Sequence, residues 1–281
     1  IYRLEVNEGS GGEPPAQLSR TGCVDTHDPA KAPSTAIEYE IAHPFWSDGA
    51  DKSRWLHLPE GQSVGVGADG SWQLPAGSIV TKTFRLGEEL IETRLLVHHE
   101  DGRWGGYSYR WNEDQSDAEL VGQGESFEVG GQTWTIPSRA DCLGCHTSAA
   151  SHALGLEGVQ MAVEDQLSAW LEAGYLSEAV TATPLARIDS DADLEARARS
   201  YLHANCSHCH REGGKSNTSP HLTIDLPLAQ MGICDVAPVT GDLGIVDARI
   251  LAPGEPERSV LLARMQATDE HRMPNLGSNQ V

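Results

Sequence analysis

Two short motifs of cysteine and histidine constrain this chain more than any other feature of its sequence. The chain reads DCLGCH at 141–146 and NCSHCH at 205–210. In both motifs two residues separate the cysteines, and a histidine directly follows the second cysteine. Each motif therefore requires a tight backbone turn that presents two thiols and an imidazole to one ligand.

The C-x-x-C-H spacing is typical of covalent haem attachment, because the two thiols can add to both vinyl groups of one haem. The histidine that follows then lies beneath the iron as an axial ligand. Two such motifs predict two covalently bound haem c groups. The predicted attachment and proximal residues are Cys142, Cys145, His146, Cys206, Cys209 and His210.

Two other chemistries use cysteine pairs with this spacing. A joint zinc site of the four motif cysteines would complete a tetrahedral shell, but it gives no role to the histidine after each pair. A thioredoxin-like dithiol predicts one motif in a βαβ setting rather than two motifs. Zinc is therefore the stronger competitor of haem, and the dithiol is the weaker one.

The charge balance of the chain excludes some partners. The 281 residues carry 20 basic and 41 acidic side chains, a formal net charge of −21. Such a charge repels nucleic acid and anionic membrane surfaces and favours partners with basic patches. The sequence contains no apolar run of transmembrane length, so we expect no membrane span.

The N-terminus and the two remaining cysteines suggest an exported protein. The chain begins at Ile1 without a charged and then apolar leader, as expected of a mature periplasmic or extracellular chain. Cys23 and Cys234 are the two cysteines outside the motifs. In an exported protein they could form a disulfide, and two buried free thiols are the alternative.

The distribution of apolar residues predicts an α+β chain in three parts. Residues 1–138 contain short runs rich in β-branched and aromatic residues, such as SIVTKTFRL and IETRLLVHH, separated by turn clusters. They predict an antiparallel β sandwich or barrel. An α-helical, loop-rich region follows, with a first haem region at 139–190 and a second haem domain at 191–281. Helices are expected in VEDQLSAWLEAGYL, SDADLEARARSYLHAN and PERSVLLARMQ.

Several stretches together resemble a family of exported bacterial dihaem c-type cytochromes. They include HPFWSDGADKSRWLHLP, IETRLLVHHEDGRWGGYSYRWNEDQSDAELV, WTIPSRADCLGCH and ARARSYLHANCSHCHREGG. Members of that family carry an N-terminal β-rich region followed by two haem attachment sites, and the resemblance spans nearly the whole chain. The resemblance implies a redox function but does not identify a partner. It also implies a class I cytochrome c unit around the second motif.

The distal axial ligands are less clearly indicated than the proximal ones. The stretch PGEPERSVLLARM…RMP resembles the end of small cytochrome c domains, which implies Met273 as distal ligand of the second haem. Met265, His271 and the more distant Met231 are alternatives. For the first haem, His152, Met161 and an open site remain. The β region offers further candidates, namely His43, His57, His98 and His99.

Together these features favour a dihaem cytochrome that relays electrons outside the cytoplasm to redox proteins with basic patches. One alternative is a peroxidase-like oxidoreductase in which one haem has an open site. Another is a polymerising cytochrome whose β regions join chains into a conductive array, which requires a homo-oligomer. The sequence favours electron transfer over catalysis without deciding between them.

Overall fold

A six-stranded antiparallel sheet dominates the first half of the chain. The computed structural model describes residues 14–67, 70–216, 218, 220–277 and 279–281, so the first 13 residues of the predicted β region lie outside it. The sheet has the order β1-β2-β5-β6-β7-β8, and β3–β4 and β9–β10 form separate hairpins. The strands are β1 (Ile37–Glu38), β2 (Asp51–His57), β3 (Gly65–Val66), β4 (Trp72–Gln73), β5 (Ile79–Leu86), β6 (Glu89–His98), β7 (Trp104–Trp111), β8 (Ala118–Val121), β9 (Glu125–Val129) and β10 (Gln132–Ile136).

The antiparallel β structure of the first region agrees with the prediction, but its form differs from a closed barrel. No pairing joins the outer strands β1 and β8 among the described residues, so the sheet is open. The β9–β10 hairpin supplies a small second layer, because Trp134 and Ile136 pack against Phe84 and Ile91 of the sheet. The chain is thus a mixed α+β protein with one main sheet rather than two full layers.

Side chains alternate between the two faces of the sheet, as the period of a strand requires. The back face is apolar and is covered by the segment that precedes β1, whose Leu18 and Cys23 pack with Trp55 and Tyr109. The indole N–H of Trp55 donates to the carbonyl oxygen of Cys23 at 2.9 Å. This contact satisfies the one polar atom of a fully buried ring.

The front face is the face that carries Leu56, Val80 and Leu96. These side chains pack against the segment that follows the first C-x-x-C-H motif, including Leu156 and Met161. The helical part of the chain therefore lies on this face of the sheet.

Five helices occur among the described residues, all after the last strand. They are α1 (Arg139–Cys145), α2 (Gly158–Met161), α3 (Gln166–Glu172), α4 (Leu194–Cys206) and α5 (Val260–Gln266). Helices α3 and α5 lie within their predicted stretches, and α4 extends one residue beyond its stretch, to Cys206, whereas α1 and α2 were not predicted. The strands end at Ile136 and α1 begins at Arg139, although the division into three parts stays a prediction.

The end of the chain after the second motif is mostly irregular. Its apolar side chains form a separate cluster of Leu222, Met231, Ile233 and Ile250, against which Cys206 packs. The described part of the chain contains no helix that is long and apolar enough to cross a membrane.

A buried ion pair stabilises the centre of the front face. The carboxylate of Glu92 has no solvent exposure, and it accepts two hydrogen bonds from Arg94, at 2.6 and 2.8 Å. It also accepts the indole N–H of Trp134 at 3.0 Å, which ties the β9–β10 hairpin to the sheet. Removing this carboxylate is costly, because it leaves the buried indole N–H of Trp134 without an acceptor and the Arg94 charge without its partner.

We expect Glu92→Gln to lower the free energy of unfolding by about 3 kcal/mol, since it leaves the Arg94 charge without its partner. Glu125→Gln is the matched control, because Glu125 pairs with Arg110 at 3.2 Å and both side chains are solvent-accessible. The control should cost less than about 1 kcal/mol. Urea unfolding of both variants tests this, and equal losses would contradict it.

Candidate functional site

A cavity of about 680 Å³ lies between the front face of the sheet and the first motif. Its size falls within the range of roughly 300–1,000 Å³ that is usual for ligand and cofactor sites. Cys142, Cys145 and His146 line one side of it. The structure therefore brings the two attachment cysteines and the proximal histidine predicted for the first haem to one cavity.

Helix α1 presents both thiols of the first motif on one face. Cys142 and Cys145 are three residues apart on the helix, so their side chains project to the same side. Ser138 caps the helix in a reciprocal pair with Asp141, whose carboxylate accepts the hydroxyl of Ser138 at 2.6 Å. The capping box therefore determines where α1 begins and so where both thiols lie.

His146 follows directly at the end of α1, and its orientation is fixed. Its Nδ1 lies 2.5 Å from the carbonyl oxygen of His152, so this nitrogen carries the proton and donates it. The unprotonated Nε2 is then the nitrogen that can bind a metal. Burial lowers the pKa of His146 to about 3, and the nearby Lys82 cation acts in the same direction. The imidazole is therefore neutral over the physiological pH range, as an axial ligand must be.

The second motif forms a similar turn at the end of α4. The backbone N–H of Cys209 donates to the carbonyl oxygen of Cys206 at 3.2 Å, and the N–H of His210 donates to the same oxygen at 2.9 Å. Burial lowers the pKa of His210, while a contact with the backbone of Pro220 acts in the opposite direction. This turn again places two thiols and an imidazole within one short segment.

The two motifs meet at one cysteine from each. The ligand atoms of Cys145, Cys209 and His208 all lie within 4.8 Å of one another, and they form the sole such group of three in the described parts of the chain. The hydrogen bond between the two thiols raises the pKa of Cys145 and lowers the pKa of Cys209. The zinc alternative required all four motif cysteines, whereas Cys142 and Cys206 lie outside this group.

The donor set of the cavity fits a haem better than a zinc ion. Two thiols on one helical face, followed by a neutral imidazole whose Nδ1 is already bonded, match covalent attachment and proximal ligation. A zinc shell at the three-residue group would leave His146 facing the cavity without a function.

The two distal candidates of the first haem lie elsewhere. His152 lies behind the proximal histidine, because its own Nδ1 contacts the carbonyl oxygen of His146 at 3.0 Å and its ring stacks on Trp104. Met161 is fully buried in the apolar core, where Gln166 donates to its sulfur at 3.8 Å. Neither lines the cavity, nor do the four histidines of the β region named above. A haem attached at the first motif would therefore receive no distal ligand from these six residues at the cavity wall.

The methionines near the second motif differ in burial. Met273 is 42% exposed, and its backbone N–H donates to the carbonyl oxygen of Arg264 at 2.9 Å. Met231 is fully buried in the apolar cluster against which Cys206 packs. Ligation by Met273 stays a prediction, and the burial of Met231 in this cluster is explained by packing.

Sequence reasoning missed the side chains that complete the cavity wall. Strands β2, β5 and β6 contribute cations to it, and the carboxylate of Glu157 lies there beside His203, with 3.1 Å between Oε1 and Nε2. The Nδ1 of His203 accepts the backbone N–H of Ile224 at 3.1 Å, so both ring nitrogens are engaged. Alternation of apolar and charged residues in TKTFRL and IETRLL was the signal for the strand cations, but it does not show which face a sheet buries.

The predicted disulfide between Cys23 and Cys234 is not formed. Cys23 is buried in the apolar cluster behind the sheet, whereas Cys234 is exposed in the loop region after the second motif. A disulfide requires the two Cα atoms to lie within about 7 Å, whereas Cys23 packs inside an apolar cluster and Cys234 belongs to none. Both cysteines are free thiols. The alternative to a disulfide was two buried thiols, and of the two only Cys23 is buried.

No family model, curated protein or solved structure matches this chain. The resemblance to exported dihaem cytochromes therefore stays a prediction. The function has to be inferred from the chemistry of the two motifs and of the cavity.

The two free thiols should differ in reactivity. Burial raises the pKa of Cys23 to about 11, so its reactive thiolate is scarce at mildly alkaline pH. We expect iodoacetamide to modify Cys234 in the folded protein and to modify Cys23 only after denaturation. Peptide mass spectrometry without a reducing agent tests this, and a Cys23–Cys234 cross-linked peptide would contradict it.

Proposed function

We propose that this protein is a dihaem c-type cytochrome that relays electrons outside the cytoplasm. The observation that carries the proposal is the arrangement of the first motif, in which two thiols and a neutral, oriented imidazole face one cavity. The repeated turn at Cys206–His210 supports a second attachment site of the same kind.

The polypeptide has three tasks in such a protein. The motif cysteines bind the haem covalently, and His146 and His210 serve as proximal ligands. The sheet and the helices exclude water from the cofactor. The haem itself supplies the one-electron redox chemistry when it is bound.

The contact between the motifs supports a relay rather than two independent centres. Cys145 and Cys209 lie side by side, so cofactors attached to them would be neighbours within the chain. A relay requires such proximity, because electrons have to pass from one centre to the other. The net charge of −21 supports basic redox proteins as partners.

Mass spectrometry of the denatured protein tests the proposal. We expect the mass of the polypeptide plus two haems. Cys142→Ser with Cys145→Ser should remove one haem, and Cys206→Ser with Cys209→Ser should remove the other. Cys23→Ser is the matched control and should keep both. A bare polypeptide, or one that carries zinc alone, would overturn the proposal.

A second function, that of a dihaem oxidoreductase with one open haem site, is favoured by a single observation. Neither His152 nor Met161, the distal candidates of the first haem, lines the cavity. An open distal position would let a small substrate such as a peroxide reach the iron.

The spin state of the oxidised protein distinguishes the two functions. Two six-coordinate, low-spin signals in electron paramagnetic resonance are expected of a relay. A high-spin signal from one haem would favour the oxidoreductase, and it should disappear on addition of cyanide. Met161→Ala should leave either spectrum unchanged if Met161 serves only in the core.

A further inference from the structure

A row of three cations crosses the front face of the sheet at the cavity. In the strand register Arg54 of β2 lies opposite Lys82 of β5, and Lys82 lies opposite Arg94 of β6. Directly paired residues have their Cβ atoms about 5 Å apart, and like charges in this arrangement are destabilising. All three residues, called the basic row below, line the cavity.

The basic row is unusual in its surroundings. The chain is acidic overall, with 41 acidic against 20 basic side chains. The neighbouring row on one side, formed by Leu56, Val80 and Leu96, belongs to the apolar core. Three cations next to that core require compensation by anions.

The protein itself compensates for only one of the three charges. Glu92 engages Arg94 through two hydrogen bonds, at 2.6 and 2.8 Å. Arg54 donates from one terminal nitrogen to the carbonyl oxygen of Lys52 at 3.1 Å, and its buried Nε has no partner in the described structure. Lys82 has neither a hydrogen bond nor an ion pair with any described residue.

Two other cations along the cavity donate hydrogen bonds to backbone carbonyl oxygens. Lys52 donates to the carbonyl oxygens of Phe45 and Ala50, at 2.8 and 3.3 Å. Arg211 donates to the backbone of Ser207 and Ala149, at 2.8 and 3.1 Å. Lys52 and Arg211 thus have acceptors within the protein, whereas Lys82 and the Nε of Arg54 have none among the described residues, so these two cations have donors left for an external anion.

The position of the row relative to the first motif indicates the kind of anion. Cys142 packs on Gly106 of β7, so the thiols lie at the β7 side of the cavity. Neighbouring strands are about 4.8 Å apart, which places Lys82 and Arg54 roughly 10 and 14 Å from β7. A haem attached through its vinyl groups at the thiols carries its two propionate carboxylates on the opposite part of the ring.

We infer that Lys82 and Arg54 bind the two propionate carboxylates of the haem attached at Cys142 and Cys145. This inference rests on the proposed function. Lys82 and the Nε of Arg54 offer donors to one carboxylate each, and both cations line the same cavity as the attachment thiols. Binding replaces the repulsion within the row by charge-assisted hydrogen bonds. Burial and the neighbouring cations hold the pKa of Lys82 well below its ordinary value, and a bound carboxylate would restore the charged form.

Spectroelectrochemical titration of Lys82→Gln and Arg54→Gln tests the inference. Loss of either cation leaves a propionate charge uncompensated, which favours ferric over ferrous iron. We expect one of the two midpoint potentials to fall and the other to stay. The propionate bending band in the resonance Raman spectrum should shift, and Lys82→Arg should restore both readouts. Lys31→Gln is the control, because Lys31 is exposed and pairs with Asp28 at 2.8 Å.

The outcomes separate this inference from the proposed function. If the parent protein carries no haem, the proposed function fails and the inference fails with it. If two haems are present and both variants leave potentials and Raman bands unchanged, only the inference fails. Loss of one haem in Lys82→Gln but not in Lys82→Arg supports the inference. Loss in both variants would show a purely structural role for Lys82 and overturn it.

Discussion

The close approach of α1 to strand β7 determines where the first motif lies in the fold. Gly106 has no side chain, and a Cβ added there would lie 2.5 Å from the Cβ of Cys142. No other residue type allows this approach without a backbone shift. Because α1 packs on the sheet at this point, its thiols and His146 face the cavity. The packing of α1 on Gly106 therefore fixes the position of the first motif relative to the sheet.

The front face of the sheet has different surroundings along its strands. One row packs in the apolar core, the basic row faces the cavity, and the next row contains the buried Glu92 that engages Arg94. Desolvated cations destabilise a fold unless they are paired. A cofactor with two carboxylates would convert this cost into binding energy. Folding and cofactor attachment are expected to be coupled for this reason.

The sequence predicted those parts of the structure that depend on local patterns. Helix α4 follows from its apolar spacing and its Asp193 cap, and the long strands follow from their β-branched residues. Helix α1 was missed, because ADCLGC has little apolar periodicity and its helix depends on the capping box of Ser138. The two C-x-x-C-H motifs identified the candidate site from the sequence, because their spacing is typical of haem attachment.

Contacts between distant segments could not be read from local patterns. The basic row arises from the pairing of three strands, and its register is a property of the whole sheet. The separation of Cys23 from Cys234 depends in the same way on the tertiary arrangement, so counting cysteines suggested a disulfide that is not formed. The distal side of the cavity also depends on long-range packing, which is why Met161 lies in the core instead.

We propose that both motifs hold haem through thioether bonds. The absorption spectrum of the reduced protein in alkaline pyridine tests it most directly, because the band position reports how many vinyl groups have reacted and the intensity counts haems. We expect two haems for each polypeptide, both with two saturated vinyl groups. A protein without haem absorbance that contains stoichiometric zinc would contradict the claim.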